Sequence, residues 1–168
     1  AMIFRSLLLP VAAILALVHP ASQFAAEPPA LEPAARRAFG GIQPCVSPDG
    51  KWIALSYQGT VCRLPAEGGA LTVLTSGEGW DIQPEWSPDG RQIAYVNSPN
   101  FNAGQLRLIN ANDGSSIKLP ANVRAQGRLW FHPDGKRLLG RLSIVGAPDR
   151  VAWFELAAGG VKPVEGVP

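Results

Sequence analysis

Reactive side chains are few and scattered in this chain. It holds two histidines, His19 and His132, and two cysteines, Cys45 and Cys62. No Gly-x-Ser-x-Gly elbow, His-Glu-x-x-His pair, closely spaced Cys/His ligand set or phosphate-cradling glycine loop is present. The acids that stand out are Asp49, Asp89 and Asp134, because each recurs in one context: Ser47-Pro48-Asp49-Gly50, Ser87-Pro88-Asp89-Gly90 and His132-Pro133-Asp134-Gly135. Alone, any of them would be a candidate general acid or base. Repeated, they read as chain reversals. Pro sets φ for the first central turn position, Asp bonds the backbone two residues on, and Gly accepts positive φ. Pro48, Asp49, Gly50, Pro88, Asp89, Gly90, Pro133, Asp134 and Gly135 are therefore assigned to structural turns. His132, standing at the Ser position, takes a turn or surface role. No residue is assigned to catalysis, a cofactor or a metal.

The elements around each turn repeat as well, at a spacing of about 40 to 45 residues. A short apolar segment precedes it: Cys45-Val46, Glu85-Trp86, or Leu129 to Phe131. A second strand follows (Trp52–Tyr57, Gln92–Val96, Arg137–Leu142), then a variable loop and a third (Thr60–Leu64, Gln105–Ile109, Arg150–Leu156). The last two of these alternate apolar with polar residues, as half-buried strands do. A glycine turn and a short fourth strand close each unit: Leu71–Leu74, Ser116–Leu119 or Val161–Val164. Each unit is thus predicted to be four antiparallel strands, the size of a propeller blade. The divisions are residues 42–81, 82–127 and 128–168. The predicted fold is all-β, a partial β-propeller of three four-stranded blades.

In such a meander the Pro-Asp-Gly turns lie at one end and the variable loops and inter-blade links at the other. Variable loops on a rigid scaffold are where binding usually resides. Trp80 and Phe101, with Asp81, Asn100 and Asp149 as polar neighbours, are the candidate binding-face residues. For Trp80 and Asp81 the alternative is structural, packing between blades and capping a strand link. Gln43, Gln83 and Arg128 enter the first strands, the innermost of each blade, and are expected to line the central channel.

Residues 1–26 read as a signal peptide: Arg5, then an apolar run from Leu7 to Val18 too short to cross a membrane, then small residues up to Ala26. Residues 27–41 are a Pro/Ala-rich linker. The expected location is periplasmic or secreted, with no stable membrane anchor after cleavage. Lys and Arg number 15 against 13 acids, with no basic block, so nothing points to nucleic acid as a partner. With 17% charged and 46% hydrophobic residues the chain is globular in composition, and 18 Gly and 16 Pro favour many short strands over long helices. Cys45 and Cys62 fall on the first and third strands of one blade, beyond disulfide reach across the strand between them, and are expected as unpaired thiols.

"PEWSPDGRQIAY", from Pro84 to Tyr95, resembles the repeat of TolB-like, WD-repeat-like bacterial β-propellers. The resemblance runs from residue 42 to 168 and is nearest in the second unit. Val46 replaces the usual aromatic in the first unit, and His132 replaces Ser in the third. It implies a periplasmic propeller, either a protein-binding scaffold or the N-terminal propeller of an exported hydrolase, such as a prolyl-oligopeptidase-like peptidase or an amidohydrolase. The implied partner is another protein or a downstream catalytic domain of the same protein. Three units are fewer than the roughly four blades that close a ring. The chain is accordingly expected to be an N-terminal portion of a longer protein.

Overall fold

The computed structural model describes residues 42–144 and 146–167. The signal-peptide and linker readings, on residues 1–26 and 27–41, lie outside them. All that follows belongs to one compact unit, Ala35–Pro168.

The described residues are all β, with twelve antiparallel strands and no helix. The first blade is β1 (Ile42–Val46), β2 (Trp52–Tyr57), β3 (Thr60–Pro65) and β4 (Thr72–Val73), in that spatial order. The second is β5 (Trp80–Trp86), β6 (Gln92–Ser98), β7 (Gly104–Asn110) and β8 (Ser116–Ile117), and the third is β9 (Val123–Phe131), β10 (Arg137–Ile144), β11 (Arg150–Glu155) and β12 (Val161–Pro163). The second and third blades are not separate sheets. Gly104 and Gln105 of β7 pair with Ala125 and Arg124 of β9, which joins the two into one eight-stranded sheet. The physical reason lies in the segment read from sequence as a link: Val123 and Ala125 are buried while Arg124 is exposed, so strand alternation already begins at Val123.

Each Pro-Asp-Gly turn is closed by the same bond, from Gly50 N to Ser47 O, Gly90 N to Ser87 O and Gly135 N to His132 O, all 2.9 Å. The three glycines have φ of 73°, 69° and 69°, the left-handed region where a Cβ is strained. In the first two turns the serine hydroxyl donates to Asp49 Oδ1 or Asp89 Oδ1 at 2.6 Å and accepts from Trp52 N or Gln92 N at 2.9 Å. His132 replaces this clasp. Arg137 Nη2 lies 2.9 Å from His132 Nε2, while His132 Nδ1 lies 2.9 Å from Asp134 Oδ2 and 3.2 Å from the Asp134 backbone N.

Two apolar clusters hold the blades face to face. β6 serves both: Ile93 and Tyr95 pack toward the first blade with Ala54, Val61 and Leu74, whereas Ala94 and Val96 pack toward the third with Leu138, Leu142 and Phe154. This explains the unbroken apolar run Ile93-Ala94-Tyr95-Val96, which has no solvent face to leave polar. Phe154 is fully buried, and its side chain contributes about 2 to 3 kcal/mol.

Candidate functional site

At the variable-loop end the structure brings Trp80 and Phe101 together. Their rings meet edge to face with centroids 5.4 Å apart, the favoured aromatic geometry. Trp80 is the first residue of β5 and pairs with Ser98. Phe101, 38% exposed, sits in the loop after β6 with φ of 66°, which is unusual for an aromatic residue. The loop is held by Ser98, whose Oγ accepts from the backbone N of Asn100 and Asn102 at 3.3 and 3.0 Å. Gln126 Nε2 donates to Asn102 Oδ1 at 2.7 Å from the third blade. Asn100 lies exposed beside Phe101. Asp149 belongs to the loop between β10 and β11, where Ser143 Oγ donates to its Oδ1 at 2.6 Å.

Asp81 adjoins Trp80 in sequence but is 5% exposed and faces the first blade. Thr75 Oγ1 donates to its Oδ2 at 2.6 Å, Asn97 Nδ2 to its Oδ1 at 2.7 Å, and Ser56 Oγ to its backbone oxygen at 2.6 Å. Thr75 Oγ1 in turn accepts from Val61 N at 2.8 Å. This is a satisfied buried network that ties the first blade to the second. Burial, and then the charge of Asp81, push the Tyr95 phenol up to about 12. Thr75, Ser56 and Asn97 were not singled out from sequence. Ser56 lies on a predicted strand and Thr75 and Asn97 just beyond the ends of two others, and small polar residues carry no local sign that they meet in space.

The innermost strands carry a second polar group. β1 and β5 each bulge at the same place: residues 43 and 44 oppose one residue between the pairs Ile42–Ser56 and Cys45–Ala54, and residues 83 and 84 do so between Ile82–Val96 and Glu85–Ala94. The first bulge residues, Gln43 and Gln83, have φ of 55° and 56°. In β9 the bulge holds one residue more, and Gly127 takes the left-handed conformation with φ of 71°. The extra residue, Leu129, lies against Gly140, where a Cβ would come within 2.9 Å of its Cδ2. Gln43, Gln83 and Arg128 line one cavity of about 220 Å³ together with Pro44, Cys45 and Pro84. Gln83 N donates to Gln43 Oε1 at 2.8 Å, a side-chain link between blades.

Beside that cavity Cys45 Sγ lies 3.4 Å from Glu85 Oε2. Burial raises the pKa of both groups, and the nearby Arg128 charge acts in the opposite sense on each. Cys45 and Cys62 are free thiols, with β2 between their strands. At the turn end, a cleft of about 410 Å³ separates the first two blades. The Arg63 guanidinium lies 4.4 Å from the Trp52 ring centroid and donates through Nη1 to Ala111 O at 2.8 Å. Its buried Nε has no partner among the described residues. Those residues include no group of three His, Cys, Asp or Glu side chains able to hold a metal, and no helix long and apolar enough to cross a membrane. His132 is 5.3 Å from the Trp153 ring and belongs to the turn.

TolB from Acinetobacter baumannii superposes with a TM-score of 0.58 at 21% identity, over 74% of this chain and 32% of that one. Putative TolB from Agrobacterium tumefaciens gives 0.56 at 22% identity, over 75% and 49%. The fold is that of a TolB-like β-propeller. At the level of sequence, 89 residues are 28% identical to a Bacillus subtilis (strain 168) protein named "Uncharacterized peptidase YuxL", covering 53% of this chain and 14% of the relative. No family model matches. The chain spans less than half of each of these three proteins.

Proposed function

We propose that this chain is part of an exported, periplasmic TolB-like β-propeller that acts as a protein-binding scaffold and is not itself catalytic. The observation that carries this reading is the Trp80–Phe101 pair at the variable-loop end. Phe101 is exposed, held in a left-handed conformation and braced by Trp80. An aromatic presented on an ordered loop has little conformational entropy left to lose on docking, which is what an interface anchor requires. The test is a photo-reactive phenylalanine analogue at position 101, irradiated in an envelope extract, with the same analogue at exposed Arg141 as control. A discrete cross-linked protein specific to position 101 is expected. Equal labelling from both positions, or none, would remove the reading.

A second reading rests on the sequence likeness to a protein named as a peptidase. In it, the propeller belongs to an exported hydrolase and controls substrate access to a catalytic domain encoded downstream. Reading the gene past Pro168 separates the two. A Gly-x-Ser-x-Gly elbow or a metal-binding His cluster supports the hydrolase, and further repeats ending in a stop support the scaffold.

A further inference from the structure

The left-handed glutamines are the least expected feature of the inner strands. The bulge needs positive φ at its first residue, and the third blade meets that need with Gly127 at no steric cost. The fold therefore does not require a side chain there, yet the first two blades carry Gln43 and Gln83 in a conformation that disfavours any Cβ. Gln43 is accounted for in part, since its Oε1 accepts from Gln83 N. That bond also fixes the amide orientation, because a backbone N–H needs the oxygen, and so Nε2 is left as a donor at the cavity. The Gln83 side chain has no hydrogen-bond partner among the described residues, although it lines the same cavity.

Arg128 completes the set. It is exposed, makes no ion pair among the described residues, and its guanidinium lies 5.8 Å from the Trp130 ring centroid. The Glu85 carboxylate, which is not part of the cavity lining, accepts from Cys45 Sγ at Oε2 and also feels the Arg128 charge. The polar side chains lining this space, besides the Cys45 thiol, are thus two amides and one guanidinium, a donor-rich set, together with Pro44 and Pro84. A guanidinium beside amide N–H groups matches the two oxygens of a carboxylate, and about 220 Å³ admits little more than that group and a short stem.

We propose that this cavity is a carboxylate-binding site, with Arg128 and Gln83 as principal donors and Gln43 Nε2 as a third. It takes the free acid group of a peptide or of an acidic side chain entering along the inner strands. The site does not depend on the loop-end reading above.

The test follows the side-chain amide NMR signals of Gln43 and Gln83 in the full chain while N-acetylglycine is added, with N-acetylglycinamide and inorganic phosphate as controls. A saturable shift of both signals with N-acetylglycine alone is expected. Aspartic acid blocked at both backbone ends, added in parallel, distinguishes a side-chain from a terminal carboxylate, and saturable binding of either supports the site. Gln83→Gly keeps the backbone conformation that Gly127 shows is accessible, so it should fold at least as well while weakening binding about fivefold or more. Arg128→Gln, at an exposed position, should weaken it about tenfold. The proposal is overturned by absence of a saturable shift with either acid or by an equal response to the neutral amide or phosphate. Unchanged affinity in both variants at unchanged melting temperature also overturns it.

Discussion

Asp81 and Ala125 occupy equivalent places at two junctions built on the same backbone. Asp81 pairs with Asn97 at the first-to-second blade junction, and Ala125 pairs with Leu142 at the second-to-third. Where the first junction sets a buried carboxylate among Ser56, Thr75 and Asn97, the second sets Val96, Ala125 and Leu142 in an apolar cluster. The contrast continues at the turn end. Arg63 and Leu108 face the equivalent residues Ala54 and Ala94. The Arg63 cleft contains Trp52, Trp86 and two aspartates, whereas its counterpart of about 420 Å³ has Leu108, Ile117, Leu119 and Leu156. The second junction also gains the β7–β9 ladder. Hydrophobic burial tolerates many arrangements, while a buried carboxylate with several donors is satisfied in very few. The first junction is thereby specified by polar geometry and the second by apolar area.

The strongest way to break this contrast is Ala125→Asp, which places a charge in the apolar junction without the donors that Asp81 has. Unfolding in urea should show a loss of about 4 kcal/mol, and a loss below about 1 kcal/mol would mean the two places are not equivalent. Asp81→Ala comes next. It leaves Thr75 without its acceptor and Asn97 with only Glu78 O, and should cost about 3 kcal/mol by the same measurement.

Arg63→Leu sharpens the comparison by making the first cleft resemble the second. It removes a buried Nε that has no partner among the described residues but also the stacking on Trp52 and the bond to Ala111 O, and the net change in urea stability should stay within about 1 kcal/mol. The smallest effect is expected at a turn. The Ser87 hydroxyl, then the Arg91 backbone N–H, hold the Asp89 carboxyl below its usual range. Its contribution to stability is therefore present above the unfolded carboxylate pKa and is lost as pH falls through the depressed folded value. Ser87→Ala should move the NMR titration midpoint of Asp89 upward and flatten the acid limb of the stability profile. An unmoved midpoint would show that the hydroxyl is not the cause.

Much of the architecture is legible in the sequence. β2 runs from Trp52 to Tyr57 as read from sequence, because an apolar run bounded by turn residues is a local signal. The glycines of the Pro-Asp-Gly turns do adopt positive φ, as their chemistry requires. The link before the third blade was harder, since Val123 to Gln126 becomes strand only by pairing with β7 and β10 at once. Of the residues read as site candidates, Trp80 with Phe101, and Gln43 with Gln83 and Arg128, come together in space. Asp81 turns away from Trp80 into the blade junction because Thr75 and Asn97 offer it donors there.

Sequence alone determined the repeat, the strand count per blade and the all-β class, because turn chemistry and two-residue periodicity act between near neighbours. The tertiary structure alone decided which junction is polar, that two blades share one sheet, and that Gln43 and Gln83 take a conformation suited to glycine. Each of those outcomes depends on different strands meeting in space: Asp81 with Ser56, Gly104 with Ala125, and Gln43 with Gln83. Their energies come from burial and pairing that do not exist until the blades pack.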